Sequence, residues 1–263
     1  MVLKAAIAGG SVTSGWVFLT SFASTTAGIA LGLTLRTRLP RPHLTQETKE
    51  VVRLGAGLLA TLAAVVISLM IASAKTSYDT QDAHFRQFSS HVILVDQLLA
   101  QFGPEATGVR ELLRQAIPAA LDRIWREKAT RAAQDTAFTP TSAAEQIFHA
   151  IEALPTTNDE QRALKLRILR ASSDIADARL LMFADVDTPI MTPFLLTLVF
   201  WLTVIFASFS LFVDPGIVVG TALLIYALSV SSALFLVADL GQPFAGLMQI
   251  SSEQLRHALA PLN

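Results

Sequence analysis

Four stretches of this chain contain no Asp, Glu, Lys or Arg: residues 5 to 35, 54 to 74, 188 to 213 and 215 to 238. A helix rises about 1.5 Å per residue and the hydrocarbon layer is about 30 Å thick, so roughly 20 apolar residues suffice to cross it. One such stretch could be a buried helix of a soluble protein. Four would demand a core larger than a chain of 263 residues can enclose. The chain therefore reads as an all-α integral membrane protein with four transmembrane helices. The expected spans are about 12–35 and 54–74 in a first hairpin (1–74), and about 190–213 and 215–238 in a second (188–240). A cleaved signal peptide competes for the first stretch. Lys4 alone makes a thin basic region, however, and the apolar run exceeds the roughly 7 to 15 residues of a signal core.

Composition enters where function classes are to be excluded. Apolar residues make up 52% and charged residues 16%, where a soluble domain has about 25% charged. A net charge of −1 argues against a nucleic-acid partner. With no cysteine there are no disulfides, thiolate nucleophiles or thiolate metal sites.

Most of the charge lies in residues 75–187, which hold thirteen basic and sixteen acidic side chains. This is expected to be a helical extramembrane domain between the second and third spans. Phe85, Phe88, Val92, Val95, Leu99 and Phe102 recur at steps of three and four, as do Leu164, Ile168, Ala171, Ile175, Ala178 and Met182. Val109, Leu113, Ile117, Ala120 and Ile124 form a third stripe interrupted by Pro118, and Ala144, Ile147, Phe148 and Ile151 a short fourth. Gly103, Pro104 and Glu105 read as a helix end and a restart. Ser142 with Glu145, and Thr157 with Glu160, have capping-box spacing. Residues 131–141 read as a loop, and 241–263 as a tail with a short amphipathic helix near 252–260.

From Leu58 to Phe102 there is neither glycine nor proline, so the second span is expected to continue unbroken into the first domain helix. Such a helix would couple the two halves mechanically. Pro189 and Pro193 favour a restart before the third span. Asp214, Pro215 and Gly216 make a tight turn before the fourth.

Within the second span Gly57, Thr61, Ala64, Ser68 and Ala72 form a small, weakly polar stripe, with Leu59, Leu62, Val66 and Leu69 on another face. Small residues permit close helix packing or leave space beside a pore. The first span repeats the theme with Ser21, Thr25, Gly28 and Gly32, and the fourth with Gly220, Ala227 and Ser231. No span contains an Asp, Glu, Lys, Arg or His, whereas pumps and ion-coupled carriers usually place one at membrane depth. An uncharged interior suits a passive pore or a structural bundle. The pore-lining candidates are Gly57, Thr61, Leu62, Ala64, Val66, Ser68, Leu69 and Ala72.

The run Arg53-Leu54-Gly55-x-Gly57, the exit Ser73-Ala74-Lys75-x-Ser77-Tyr78-Asp79, and Asp239-x-x-x-Pro243-Phe244-x-Gly246 after the last span resemble the bacterial family of bestrophin-like membrane proteins. Bestrophins proper are oligomeric ion channels, mostly anion-selective, with a helical cytosolic domain between the second and third spans and an Asn-Pro-Phe-Gly motif after the fourth. Asp239, Pro243 and Phe244 match that motif, Gln242 stands in place of Asn, and Ala245 moves the glycine to Gly246. The resemblance implies a homo-oligomer, with five subunits by that likeness. It also implies that small inorganic ions pass. It does not extend to a calcium clasp: residues 247–253 offer the single carboxylate of Glu253, and calcium takes about six to eight oxygens. Nor does residues 54–74 contain the aromatic side chains of a bestrophin neck, although Leu62, Val66 or Leu69 could form a hydrophobic gate.

Orientation is divided. Arg36, Arg38, Arg41, Lys49 and Arg53 crowd the first loop and favour a cytoplasmic loop there; Lys4, Lys75, Arg86, Arg179 and Arg256 match them in number on the other side. The resemblance implies a cytoplasmic central domain in a bacterial inner membrane, and that layout is adopted. Enzyme readings have little support, because there is no phosphate loop, His-Glu-x-x-His or Gly-x-Ser-x-Gly. His84 and His91 share a helical face near Asp82, but such a pair is more often a surface feature than a metal site. His43, His149 and His257 are isolated. Trp16, Trp125 and Trp201 suit interface or packing positions. Asp79, Asp185 and Asp187 are a solvated rim or a charged vestibule for ions. No cofactor and no metal is expected. Two functions follow: an oligomeric ion-conducting pore lined by the second span, or a non-conducting membrane scaffold or sensor whose helical domain binds a partner.

Overall fold

A computed structural model describes residues 14–38, 46–129, 142–184, 191–213 and 216–242, together with Leu247, Ile250 and Leu255. The described residues form seven α-helices: α1 (Ser14–Arg38), α2 (Gln46–Phe102), α3 (Thr107–Ala129), α4 (Ser142–Glu152), α5 (Asp159–Ala184), α6 (Met191–Phe212) and α7 (Ile217–Leu240), with a short 3-10 turn at Pro104–Ala106. Four of these, α1, α2, α6 and α7, carry segments long and apolar enough to cross a membrane. No strand occurs among the described residues.

The chain divides into two compact units, one of Met1–Ser77 with Thr188–Gln242 and the other of Tyr78–Asp187 with Pro243–Asn263. The division falls inside α2, whose 57 residues run without a break. Unbroken helix follows from the sequence, since nothing between Leu58 and Phe102 removes a backbone donor or favours a turn. Gly103 ends it with φ 115°, a conformation that a Cβ would strain.

In the first unit, α1 packs along α6 and α7. Val17, Ala63, Met70, Ala74, Leu198, Leu202, Leu234 and Val237 form one buried cluster, which brings one side of α2 against α6 and α7. Ile29, Phe206, Leu223 and Ala227 form a second. Phe18 lies edge-on to Phe235 across α1 and α7. Arg36 at the end of α1 donates to the Val213 carbonyl, satisfying an acceptor that the end of α6 leaves open.

The second unit is built on the predicted stripes. Phe85, Phe88, Val92, Val95, Leu99 and Phe102 of α2 are all buried, as are Ile168, Ala171, Ala178 and Met182 of α5. Ile250 and Leu255 join the same core. Pro118 does not interrupt α3, and its buried stripe runs Val109, Leu113, Ile117 and Leu121. Lys165 of α5 donates to the carbonyls of Glu152 and Leu154, capping the end of α4.

The box at the start of α5 is set by Asn158 and Gln161, not by Thr157 and Glu160. The Gln161 amide donates to Asn158 Oδ1 at 2.6 Å, and Gln161 Oε1 accepts from the Thr157 amide at 2.9 Å. Asn caps at least as well as Thr, so the register moves on by one residue. The expected loop at 131–141, the turn residues Asp214 and Pro215, and most of the tail helix near 252–260 lie outside the described residues.

Candidate functional site

Two of the three small-residue stripes of the first unit, those on α1 and α2, have different fates. On α1, Ser21, Thr25, Gly28 and Gly32 are buried. A Cβ on Gly28 would lie 2.6 Å from the Thr203 carbonyl oxygen, and one on Gly32 would lie 2.3 Å from that of Ala207. The missing side chains let α1 approach α6 backbone to backbone, and Ser24 and Thr203 join their hydroxyls across the contact at 2.8 Å. Packing accounts for this stripe.

On α2 the geometry is reversed. Ala56, Ala63, Met70 and Ala74 are buried, and Ala63, Met70 and Ala74 face the cluster shared with α6 and α7. At 100° per residue, Gly57, Thr61, Ala64, Ser68 and Ala72 fall on the far side of the helix. All five are exposed, and a Cβ added to Gly57 would meet nothing within 4 Å. Thr61 and Ser68 donate their hydroxyl protons to the carbonyls of Leu58 and Ala64, at 2.7 and 2.9 Å. Their donors are satisfied within the helix, while the hydroxyl oxygens still offer lone pairs outward. The face is apolar, uncharged and lightly studded with acceptors.

The remaining candidates divide around this face. Leu62 and Leu69 flank it and are 47% and 65% exposed. Val66 is partly buried against the α6 and α7 cluster. Arg53 and Gly55 are exposed at the start of the apolar segment, and no neighbour comes within 4 Å of a Cβ on Gly55. Asp239 is 1% exposed near the end of α7 and accepts the Ser14 hydroxyl at 3.1 Å. This places a carboxylate beside the first turn of α1, where unpaired amides and the helix dipole favour negative charge. Asp79 is exposed on α2; Asp185, Asp187, Pro243, Phe244 and Gly246 lie outside the described residues. His84 and His91 are half-buried on α2, and among the described residues no three His, Asp or Glu side chains gather into a metal-ligating group.

One cluster in the second unit escaped the sequence reading. Asp96, on α2 beyond the charge-free stretch, receives forked hydrogen bonds from Arg110 at 2.8 and 2.9 Å and from Arg114 at 3.2 and 3.3 Å, both on α3. Burial pushes the Asp96 carboxyl up, but the hydrogen bonds and charges of the two guanidiniums outweigh it and hold the group below the usual carboxylate range. The same bond to Asp96 raises the pKa of Arg110 further. The signal was a carboxylate beside a buried stripe, followed after the Gly103 break by arginines four residues apart.

Taken together, these features define a multi-pass membrane protein: four helices fit to span a bilayer, joined to a second helical unit. A family model described as Bestrophin-like domain matches residues 23–255, from within α1 to the last described residue of the tail. The chain belongs to the bestrophin-like family. No curated protein and no solved structure matches it.

Proposed function

We propose that this protein is an oligomeric ion channel of the bestrophin-like family, in which the outward stripe of α2 from each copy lines a path for small inorganic ions. The observation that carries the reading is that this stripe stays open within the protomer, although the chain fills an equivalent stripe on α1. A face of Gly, Ala, Ser and Thr is too small to close a path by itself. Leu62 and Leu69, bulkier and also exposed, supply the constriction, which would gate by dewetting. Val66, turned partly into the bundle, supports the wall. The exposed Asp79 supplies charge at the vestibule of the path.

Gating follows from α2 belonging to both units: a movement in the helical domain is delivered along one unbroken helix to the constriction. The protein acts in a bacterial inner membrane with the helical domain in the cytoplasm. It needs no cofactor and performs no catalysis. Its conduction is tested by recording purified protein in planar bilayers, with the oligomer confirmed beforehand by light scattering. Ion current that Ser68→Leu reduces is the expected result. A confirmed oligomer that passes no current at any voltage or salt would reject the channel and leave the membrane scaffold or sensor.

A further inference from the structure

Hydroxyls of the membrane unit follow one habit. Ser21 and Thr25 on α1, Ser208 and Ser210 on α6, and Ser229 and Ser232 on α7 each donate to a carbonyl three or four residues back in their own helix. The bond satisfies the proton without help from a neighbour. Among the described residues two buried hydroxyls depart from it: Thr26 Oγ1 and Ser231 Oγ have no hydrogen-bond partner, and Ser231 is 0% exposed. A buried hydroxyl left unpaired is costly, and each of these has a carbonyl of its own helix one turn away that it does not use.

The register of α1 against α7 brings the two together. Ser14 donates to Asp239, and Phe18 lies edge-on to Phe235. Four residues onward on α1 therefore meet four residues back on α7. Carried on at that spacing, Phe22 stands opposite Ser231, and Thr26 opposite Ala227. The packing agrees, since Ala227 shares a buried cluster with Phe22 and Ile29, while Leu234, one turn beyond Ser231, shares one with Val17. Thr26 and Ser231 thus sit about one turn, or 5 to 6 Å, apart along the contact. Side chains lean toward the N-terminus of their own helix, so in an antiparallel pair these two lean toward each other. They converge without bonding each other, and Ala227 brings only a methyl to the space beside Thr26.

Chemistry selects what joins them. An apolar molecule would leave both hydroxyls unpaired. An ion would bring a charge to a depth where no charged side chain offsets it. A water molecule accepts both protons and gives its own to the spare lone pairs of backbone carbonyls, which reaches the two to four partners a buried water takes.

We infer that one buried water molecule bridges Thr26 and Ser231 and ties α1 to α7. The inference does not depend on conduction. Thr26→Val and Ser231→Ala, singly and together, are compared by thermal unfolding of the detergent-solubilised full chain. Each single variant removes one partner of the bridge and leaves the other hydroxyl buried and unpaired, so its midpoint should fall by several degrees. The double variant should fall no further than either single one, because its second change deletes a group that has already lost its partner. Falls that add, or no fall in either single variant, would show each hydroxyl turned back onto its own helix and overturn the inference. A cryo-EM map of the parent protein separates a water from a direct bond. Density within hydrogen-bonding distance of both oxygens is the expected result; the two hydroxyls bonded to each other, with no density between them, would overturn it.

Discussion

Replacing Gly32 by alanine should loosen the membrane unit, and the size of the effect can be worked from the contact between α1 and α6. The added methyl would lie 2.1 Å from Ser210 Oγ and 2.3 Å from the Ala207 carbonyl oxygen. The hydroxyl can rotate away, but the carbonyl belongs to the α6 backbone and cannot. Restoring ordinary contact of roughly 3.5 Å requires the helices to part by about 1 Å. Overpacking of this kind costs about 1 to 3 kcal/mol. Because the obstacle is backbone, the upper part of that range applies, about 2 to 3 kcal/mol, and alanine returns up to about 1 kcal/mol of helix propensity, which leaves a net loss near 1 to 2 kcal/mol. At about 2 to 4 °C per kcal/mol for a unit of this size, the unfolding midpoint should fall by several degrees. Thermal unfolding of detergent-solubilised protein, followed by tryptophan fluorescence, measures it. Gly57→Ala is the matched control, because its methyl meets nothing within 4 Å in the protomer and α2 keeps the propensity gain. A Gly32→Ala midpoint at or above that of the parent would refute the backbone-to-backbone contact and the distinction between the two stripes.

Three further outcomes follow from named contacts. Because the folded-state pKa of Asp96 lies below its unfolded value of about 3.9, its contribution is complete above that pH and is lost as pH falls through the folded value. Acid titration of hydrogen exchange in α3 should therefore show a loss of protection below about pH 4 that is missing in Asp96→Asn, which should itself be less stable at neutral pH by about 1 to 3 kcal/mol. Asn158→Ala should cost about 1 kcal/mol through the lost cap, and Thr157→Ala less, as exchange of the first-turn amides of α5 will report; the opposite order would restore the earlier register. In planar bilayers Gly57→Leu should reduce current while Gly220→Ala does not, and equal effects would remove α2 from the path.

Much of the helical architecture was legible because its causes are local. A membrane-spanning helix needs only a long enough run without charge, and the buried stripes of α2 and α5 needed only a helical period. The cap of α5 was missed by one residue because Thr156-Thr157-Asn158 offers adjacent residues able to cap, and geometry alone chooses between them. Asp96 was missed because its partners stand on α3, beyond the turn at Gly103. An apolar cleft among α2, α3, α4 and α5 of the second unit was hidden for a similar reason. Alanines on three helices look like ordinary helix formers until the helices are placed around a common space.

The amino-acid order by itself determined that this chain is helical and that four of its segments are long and apolar enough to cross a bilayer, since charge and period act within one helix and need no partner. Only the tertiary structure decided which small-residue face is consumed and which is left over. Glycine, alanine and serine suit a tight contact and an open surface equally well. The distance from a missing Cβ to the nearest neighbour separates the two, and that distance belongs to a pair of helices rather than to either one.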